Sequence, residues 1–251
     1  MRHAAGDLFA ALTMVAATMV AGCAKPQLTY TELVPDVPPG TAVSPESLAA
    51  AARVVQVRVN GIRGAEAAVT GSAIRVGLPA EADAARWPAV ACQKGELEIM
   101  LMPNTLWANV GPTGEEEWTD RTTRQKVPAA KALAAGRVVF TSADLAREAR
   151  PRRSNRANEW GVEFRLGRAK KAEFERFTAK HVGSTIAIVL DGKVLMAPVI
   201  KSRIPGVGTI EDDYSWAEAE DLAALLRSGP LPFPLREADQ GAPSEPAATP
   251  P

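Results

Sequence analysis

The chain has 251 residues, with 29 Lys and Arg against 29 Asp and Glu, so its formal net charge is zero. That balance excludes the broad positive field of a nucleic-acid-binding protein, and no nucleic acid is expected as a partner. Hydrophobic residues make up 46% of the chain, enough apolar surface for a core in one large domain or two small ones.

At the N-terminus, Arg2 and His3 precede an apolar stretch from Leu8 to Ala21, too short to span a bilayer comfortably and of the length of a secretory signal core. It ends in Val20-Ala21-Gly22-Cys23, which resembles a bacterial lipobox, where small residues precede a cysteine that is acylated. Residues 1–22 are therefore expected to be a lipoprotein signal peptide and Cys23 the lipidated mature N-terminus. The alternatives are an ordinary signal peptide with an incidental cysteine, or an uncleaved anchor. Acylation at Cys23 gives stable anchoring, because each buried methylene contributes about 0.8 kcal/mol and more than one lipid signal is present. The expected location is the cell envelope, on the periplasmic or extracytoplasmic side of a membrane. With Cys23 acylated only Cys92 is left, so no internal disulfide forms, and Cys92 reads as a small buried hydrophobe.

Residues 23–43, with Pro35, Pro38, Pro39 and Gly40, read as a flexible tether. A first unit is expected over 44–118. Ser44-Pro45-Glu46 opens a helix whose Leu48, Ala52, Val55 and Val59 share one face, and Asn60-Gly61 ends it. Strands are predicted at Ala65–Val69 and Ala73–Leu78, a short helix at Glu81–Arg86, and a strand at Glu96–Met102. Residues 104–126 are polar and read as a loop or subdomain crossing. Residues 119–137 form a connecting segment whose pattern admits a helix from Pro128 to Ala135.

The second unit is expected over 138–235. After a strand at Val138–Thr141 comes a basic patch with Arg150, Arg152, Arg153 and Arg156. It reads as a solvated hairpin loop or, more sharply, as candidate partner-binding residues for lipid phosphate or an acidic protein surface. A strand at Gly161–Leu166 and a helix at Arg168–Lys180, capped near Gly183, lead into a hairpin. Asp191-Gly192 is its turn, of type I′, whose two central residues need positive φ. Ser215 and Glu218 form a capping-box pattern for a helix to Arg227, closed by Gly229. Residues 236–251, rich in Ala, Pro and Glu, are expected to be disordered.

The search for reaction chemistry finds little. Past the signal the one imidazole is His181, read as a capping or packing residue near a helix C-terminus; a Ser-His-Asp triad would have to use it, no G-x-S-x-G elbow is present, and one histidine makes no histidine metal cluster. Glu211-Asp212-Asp213 lacks the alternation of a calcium loop and is explained by turn and dipole preferences. Gly206-Val207-Gly208 follows a proline and opens no helix, so it reads as a sharp loop turn. No catalytic residue, metal ligand or cofactor is expected.

The stretches "GSTIAIVLDGKVLMAPVIKSRI" and "GTIEDDYSWAEAEDLAALLRSGPLPFPL" together resemble the first periplasmic domain of the SecD family, from the bacterial protein-export machinery. Matching positions include Ala187, Asp191, Gly192, Pro198, Ile210, Leu222, Arg227, Gly229, Leu231 and Pro232. The stretch "VVQVRVNGIRGAEAAVTGSAIRVGLPAEADAARW" is similar to the family's earlier block, so the resemblance covers about Pro45 to Leu235 apart from a diverged middle. It implies an α+β fold of two small ferredoxin-like subdomains, a base and a head, with antiparallel sheets and helices on one face. It makes Asp191, Gly192, Pro198 and Gly229 structural motif residues. It also implies a non-enzymatic protein whose partners are a polypeptide client or an envelope or translocon protein, accessory to export. The alternative is an envelope interaction module that kept the fold and lost the export role. The chain departs from the family at Glu211 and at Pro79-Ala80, where glycines are usual, and is expected to lack the transmembrane helices that follow in the family.

Overall fold

A computed structural model describes residues 27–80, 86–110, 116–154 and 159–238. The expectations for the signal peptide, for Cys23 and Arg156, for most of the helix at 81–86 and for the tail from 239 lie outside these residues. Among the described residues no helix is long and apolar enough to cross a membrane.

The chain opens with strand β1 (Leu28–Pro35), then helix α1 (Pro45–Val59), the hairpin β2 (Glu66–Thr70) and β3 (Ala73–Pro79), and a short helix α2 (Trp87–Cys92). Helix α1 begins as its sequence predicts: the Ser44 side chain accepts from the Ser47 N–H, with Pro45 in the first turn. Its face of Leu48, Ala52, Val55 and Val59 is buried. Strands β4 (Leu97–Leu101), β5 (Leu106–Val110), β6 (Glu116–Asp120) and β7 (Lys126–Val127) follow, then helix α3 (Ala129–Ala135) and strand β8 (Arg137–Thr141). Next come β9 (Arg150–Arg153), β10 (Trp160–Arg165), helix α4 (Arg168–Lys180), β11 (Ile186–Leu190), β12 (Lys193–Met196) and β13 (Val207–Tyr214). Helix α5 (Trp216–Ser228) and strand β14 (Leu235–Glu237) complete the described chain.

The fold is α+β with antiparallel sheets. The base sheet has the order β14-β1-β3-β2. With α1 and α5 it forms the β-α-β-β-α-β succession of a ferredoxin-like unit, into which everything from β4 to β13 is inserted. The boundaries therefore differ from those expected. Residues 28–35 lie within the segment read as a tether, yet β1 pairs with β3 from Leu28↔Pro79 to Leu33↔Ile74, and Leu33 is buried. Strand β4 was expected in the first unit but is central in the inserted sheet β12-β11-β4-β8. Strand β14 starts at the expected end of the second unit and pairs with β1 of the base sheet.

The inserted part has its own strand orders, β12-β11-β4-β8, β13-β10-β9 and β5-β6-β7, so the segment read as a loop or subdomain crossing contributes, among its described residues, the strands of a small sheet. The stretch read as a basic loop is strand β9, paired with β10 from Trp160↔Arg153 to Glu163↔Arg150. Strand β11 is apolar at every position because both faces of its sheet are covered. Ile186, Ile188 and Leu190 join the main core, and Ala187 and Val189 join a second cluster with Met100, Trp118 and Val194. Against the first face, the edge of Phe140 meets Phe174 of α4 at 5.1 Å between ring centroids.

Helix α5 carries both halves of the capping box: the Glu218 N–H donates to Ser215 Oγ (3.2 Å) and the Ser215 N–H to Glu218 Oε2 (2.8 Å). Its buried face is wide, from Ala219 through Leu226, because it packs on α1 on one side and on β9 and β10 on the other. Base and insertion thus share one core.

Candidate functional site: a buttressed crossing and a groove between strand edges

The chain passes from the base into the insertion at residues 93–96, between α2 and β4. A peptide segment crossing between units must find partners for its backbone groups, and here four elements supply them. Arg58 on α1 is fully buried. Its Nη1 donates to the carbonyls of Val90 (3.1 Å), Ala91 (2.9 Å) and Gln93, its Nη2 to those of Lys94 (3.1 Å) and Gly229 (3.2 Å), and its Nε to Ser228 Oγ (3.1 Å). Helix α2 has no basic residue in its last turn, so Arg58 caps its C-terminal carbonyls from another helix. Burial lowers the Arg58 guanidinium to about 10, with Asp191 opposing the shift, and it stays charged at neutral pH.

The hairpin turn is the second support. Asp191 and Gly192 both have positive φ, 51° and 81°, as a type I′ turn requires. The Asp191 carboxylate accepts from the Gly95 N–H (3.0 Å) and the Glu96 N–H (2.7 Å), while the Asp191 N–H donates to the Glu96 carbonyl (3.0 Å). Ser142 is the third: its hydroxyl accepts from the Leu97 N–H at 2.6 Å. The Leu231 N–H, donating to the Lys94 carbonyl at 2.8 Å just beyond α5, is the fourth. A side chain at Gly95 would meet Arg58 Nη2 at 2.6 Å, so only glycine passes there. Replacing Asp191 by Ala is expected to cost about 2 kcal/mol, since two donors lose a charged acceptor and alanine tolerates a left-handed backbone poorly; Asn costs about half that. Urea denaturation of both variants checks the order.

The other predicted motif residues play framework parts. Gly229 caps α5 with φ +74, and Pro198 extends the hairpin, its carbonyl accepting from the Ile186 N–H at 3.0 Å. Of the basic residues, Arg150 and Arg152 bind Glu163, at 2.9 and 3.4 Å, together with Arg165 at 2.9 Å, while Arg153 lies over the Trp160 ring. Glu163 is 7% exposed. Burial pushes its carboxyl up, but hydrogen bonds and charge from Arg165 and Arg150 outweigh that and leave it below the usual Glu range. A depressed folded pKa adds stability above the unfolded value, about 4.3, that is lost as pH falls through the folded one. The stability gap between wild type and Glu163→Gln is therefore expected to close below about pH 4.3, as read by urea unfolding at successive pH values.

Among the described residues no cluster of His, Cys, Asp or Glu has the makings of a metal site. Burial pushes the Cys92 thiol up to about 11, which keeps it protonated and unreactive. His181 sits at the C-cap of α4 with its ring 4.7 Å from that of Phe177.

A concave feature of the insertion lies where two sheets approach. Strand β5 is at the edge of β5-β6-β7 and β12 at the edge of β12-β11-β4-β8. Beside β5 a groove of about 360 Å³ is lined by Trp107 and Ala108 of that strand, by Arg121 and Arg124 of the turn after β6, and by Ala197 and Val199 just beyond β12. Trp107 and Val199 are 43% and 44% exposed, unusual for side chains of their size. Arg124 holds a left-handed backbone, φ 61, which costs a residue with a β-carbon about 1 kcal/mol. The turn is fixed by Asp120, whose carboxylate accepts from the Thr122 and Thr123 N–H groups, both at 2.8 Å. Sequence reasoning missed this groove because residues 104–126 look polar. The signal was there in the short runs Leu106–Val110 and Glu116–Asp120 on either side of Gly111-Pro112 and Gly114.

Residues 117–233 match the family described as SecDF, P1 head subdomain, a span that holds the Asp191 turn and the Arg121, Arg124, Ala197 and Val199 sides of the groove, while Trp107 and Ala108 lie before it. Over these residues the chain carries a SecDF P1 head subdomain. Protein translocase subunit SecD of Aquifex aeolicus (strain VF5) is 45% identical over 75 residues, 30% of this chain and 15% of that protein. The SecD of Syntrophobacter fumaroxidans (strain DSM 10017 / MPOB) is 32% identical over 182 residues, 66% of this chain and 33% of that protein. Among solved structures, SecDF in its super-membrane-facing form matches with TM-score 0.67 and 26% identity, over 86% of this chain and 30% of that one. A SecDF structure described as a membrane component that enhances protein export matches with TM-score 0.63 and 27% identity, over 85% of this chain and 100% of that one. The matched stretches thus correspond to between 15% and 33% of the length of these two translocase subunits.

Proposed function

We propose that this chain is a lipid-tethered, non-enzymatic SecD-type P1 module that binds extended polypeptide on the outer side of a membrane and assists protein export. The observation that carries the reading is the groove beside β5, an edge strand of its sheet, with Trp107 and Val199 exposed along it. Edge strands offer unpaired backbone groups to an extended chain, and an exposed indole adds apolar contact without selecting a sequence. Cys23 supplies the tether: its lipobox-like setting is the support, and mass measurement of the mature protein tests it.

Binding of a fluorescently labelled unfolded polypeptide, read by anisotropy, is expected to weaken about tenfold in Trp107→Ala, the loss of one well-placed aromatic contact. Arg124→Gly separates binding from folding: it relieves the left-handed backbone, so stability holds or rises by about 1 kcal/mol, while affinity falls with the lost charge. Unchanged affinity in both variants would exclude this groove. A domain that ignores unfolded chains yet captures one folded partner would be an envelope interaction module that kept the fold without the export role.

A further inference from the structure

Helix α1 has two apolar rows. The first, Leu48, Ala52, Val55 and Val59, is buried in the core of the base. The second, Ala50, Val54 and Val57, is offset by two residues, or about 200° around the helix axis at 100° per residue. The polar side of the helix, with Glu46, Arg53 and Gln56, lies beside this second row, whose residues are half-buried. The second row floors a cleft of about 800 Å³ whose rim carries Arg53, Arg147 and Arg227, contributed by α1, by the chain leading into β9 and by α5.

The three guanidiniums are not equivalent. Arg227 binds Glu220 at 2.5 Å and the Ala149 carbonyl at 3.0 Å. Arg53 and Arg147 are exposed and have no ion-pair partner among the described residues, so the cleft presents two uncompensated positive charges over an apolar floor. Its floor is α1 and one wall is α5, helices whose backbone groups are already bonded, and no strand among the described residues lines it, so an extended peptide has no strand edge to join there. A groove beside two packed helices with an apolar floor suits a third helix, which brings a row of side chains at matching spacing.

We propose that the α1–α5 cleft docks an acidic amphipathic helix of a partner protein, its apolar row on Ala50, Val54 and Val57 and its carboxylates on Arg53 and Arg147. The floor from Ala50 to Val57 runs for about 10 Å, so about two helical turns fill it. This site is separate from the groove at Trp107 and does not depend on that groove binding polypeptide.

The test uses the mature chain and three labelled helical peptides of about 14 residues that share one leucine row and differ only in flanking charge: acidic, neutral and basic. The acidic peptide is expected to bind at least tenfold more tightly than the neutral one, to weaken as salt is raised, and to lose at least tenfold in affinity in Arg53→Glu and in Arg147→Glu. A Trp107→Ala variant serves as control and is expected to bind it unchanged, so failure at this cleft is distinguishable from failure at the polypeptide groove. Equal binding of all three peptides, binding of none, or an affinity for anionic phosphatidylglycerol vesicles that the arginine variants abolish while peptide binding stays unaltered would each overturn the proposal. Unchanged circular dichroism and melting temperature in the arginine variants would tie any loss to the cleft, since both side chains are exposed.

Discussion

Replacing Arg58 with methionine is expected to lower the unfolding free energy by about 3–5 kcal/mol, among the largest effects of any single substitution in this chain. Methionine restores most of the buried volume, so the loss isolates the polar contacts. Val90 and Ala91 carbonyls at the end of α2 and the Gly229 carbonyl beyond α5 lose a charged donor in a buried place, and the half-buried Gln93 carbonyl in the crossing segment loses one too. Each orphaned buried carbonyl costs about 1–3 kcal/mol, and partial repacking keeps the total below the simple sum. Lysine at the same position keeps the charge but offers donors from a single point, so it is expected to recover only part of the loss. Urea denaturation of the three proteins gives the series. A methionine variant within about 1 kcal/mol of wild type would show that water or a shifted backbone replaces the guanidinium. Because Arg58 joins α1, α2, the crossing segment and the end of α5, its removal is also expected to loosen the insertion against the base, read as faster amide exchange at Gly95 and Glu96.

Phe174→Ala is expected to cost about 3–5 kcal/mol, through a different mechanism. Phe174 is 2% exposed and packs edge-on to Phe140 of β8, with Phe177 beside both. Truncation loses the transfer free energy of a ring and leaves a cavity between α4 and the inserted sheet. Neighbours do not collapse into it readily, because that sheet is held from its other face by the cluster around Trp118. Leucine fills much of the space and is expected to cost about a third as much. Thermal unfolding followed by near-ultraviolet circular dichroism measures the difference. The contrast with Arg58 is informative: one site loses apolar volume within the insertion, the other loses hydrogen bonds between the units.

Helix ends and the hairpin turn were legible because their determinants are local. A serine three residues before a glutamate is enough to start α5, and Asp191-Gly192 is enough to turn β11 into β12, so spacing alone announced both. The resemblance to the SecD family rested on these same stretches. Strand β1 was illegible for the opposite reason. Its residues are rich in threonine and flanked by prolines, as in a tether, and only β3 and β14, brought alongside from distant parts of the chain, give its backbone groups partners. The same holds for β9: an arginine-rich run reads as solvated until Glu163 on the neighbouring strand gathers its guanidiniums.

The candidate sites divide in the same way. By itself the sequence determined an α+β chain, and it singled out Asp191, whose purpose its neighbours could not reveal. Tertiary structure alone decided that this carboxylate holds the crossing at Gly95 and Glu96, that Arg58 caps a helix other than its own, and that Trp107 and Val199 meet across a groove. The physical reason is range. Capping and turn formation act over three or four residues, whereas a buried cation's acceptors and a groove's two walls are set by packing between segments that lie far apart along the chain.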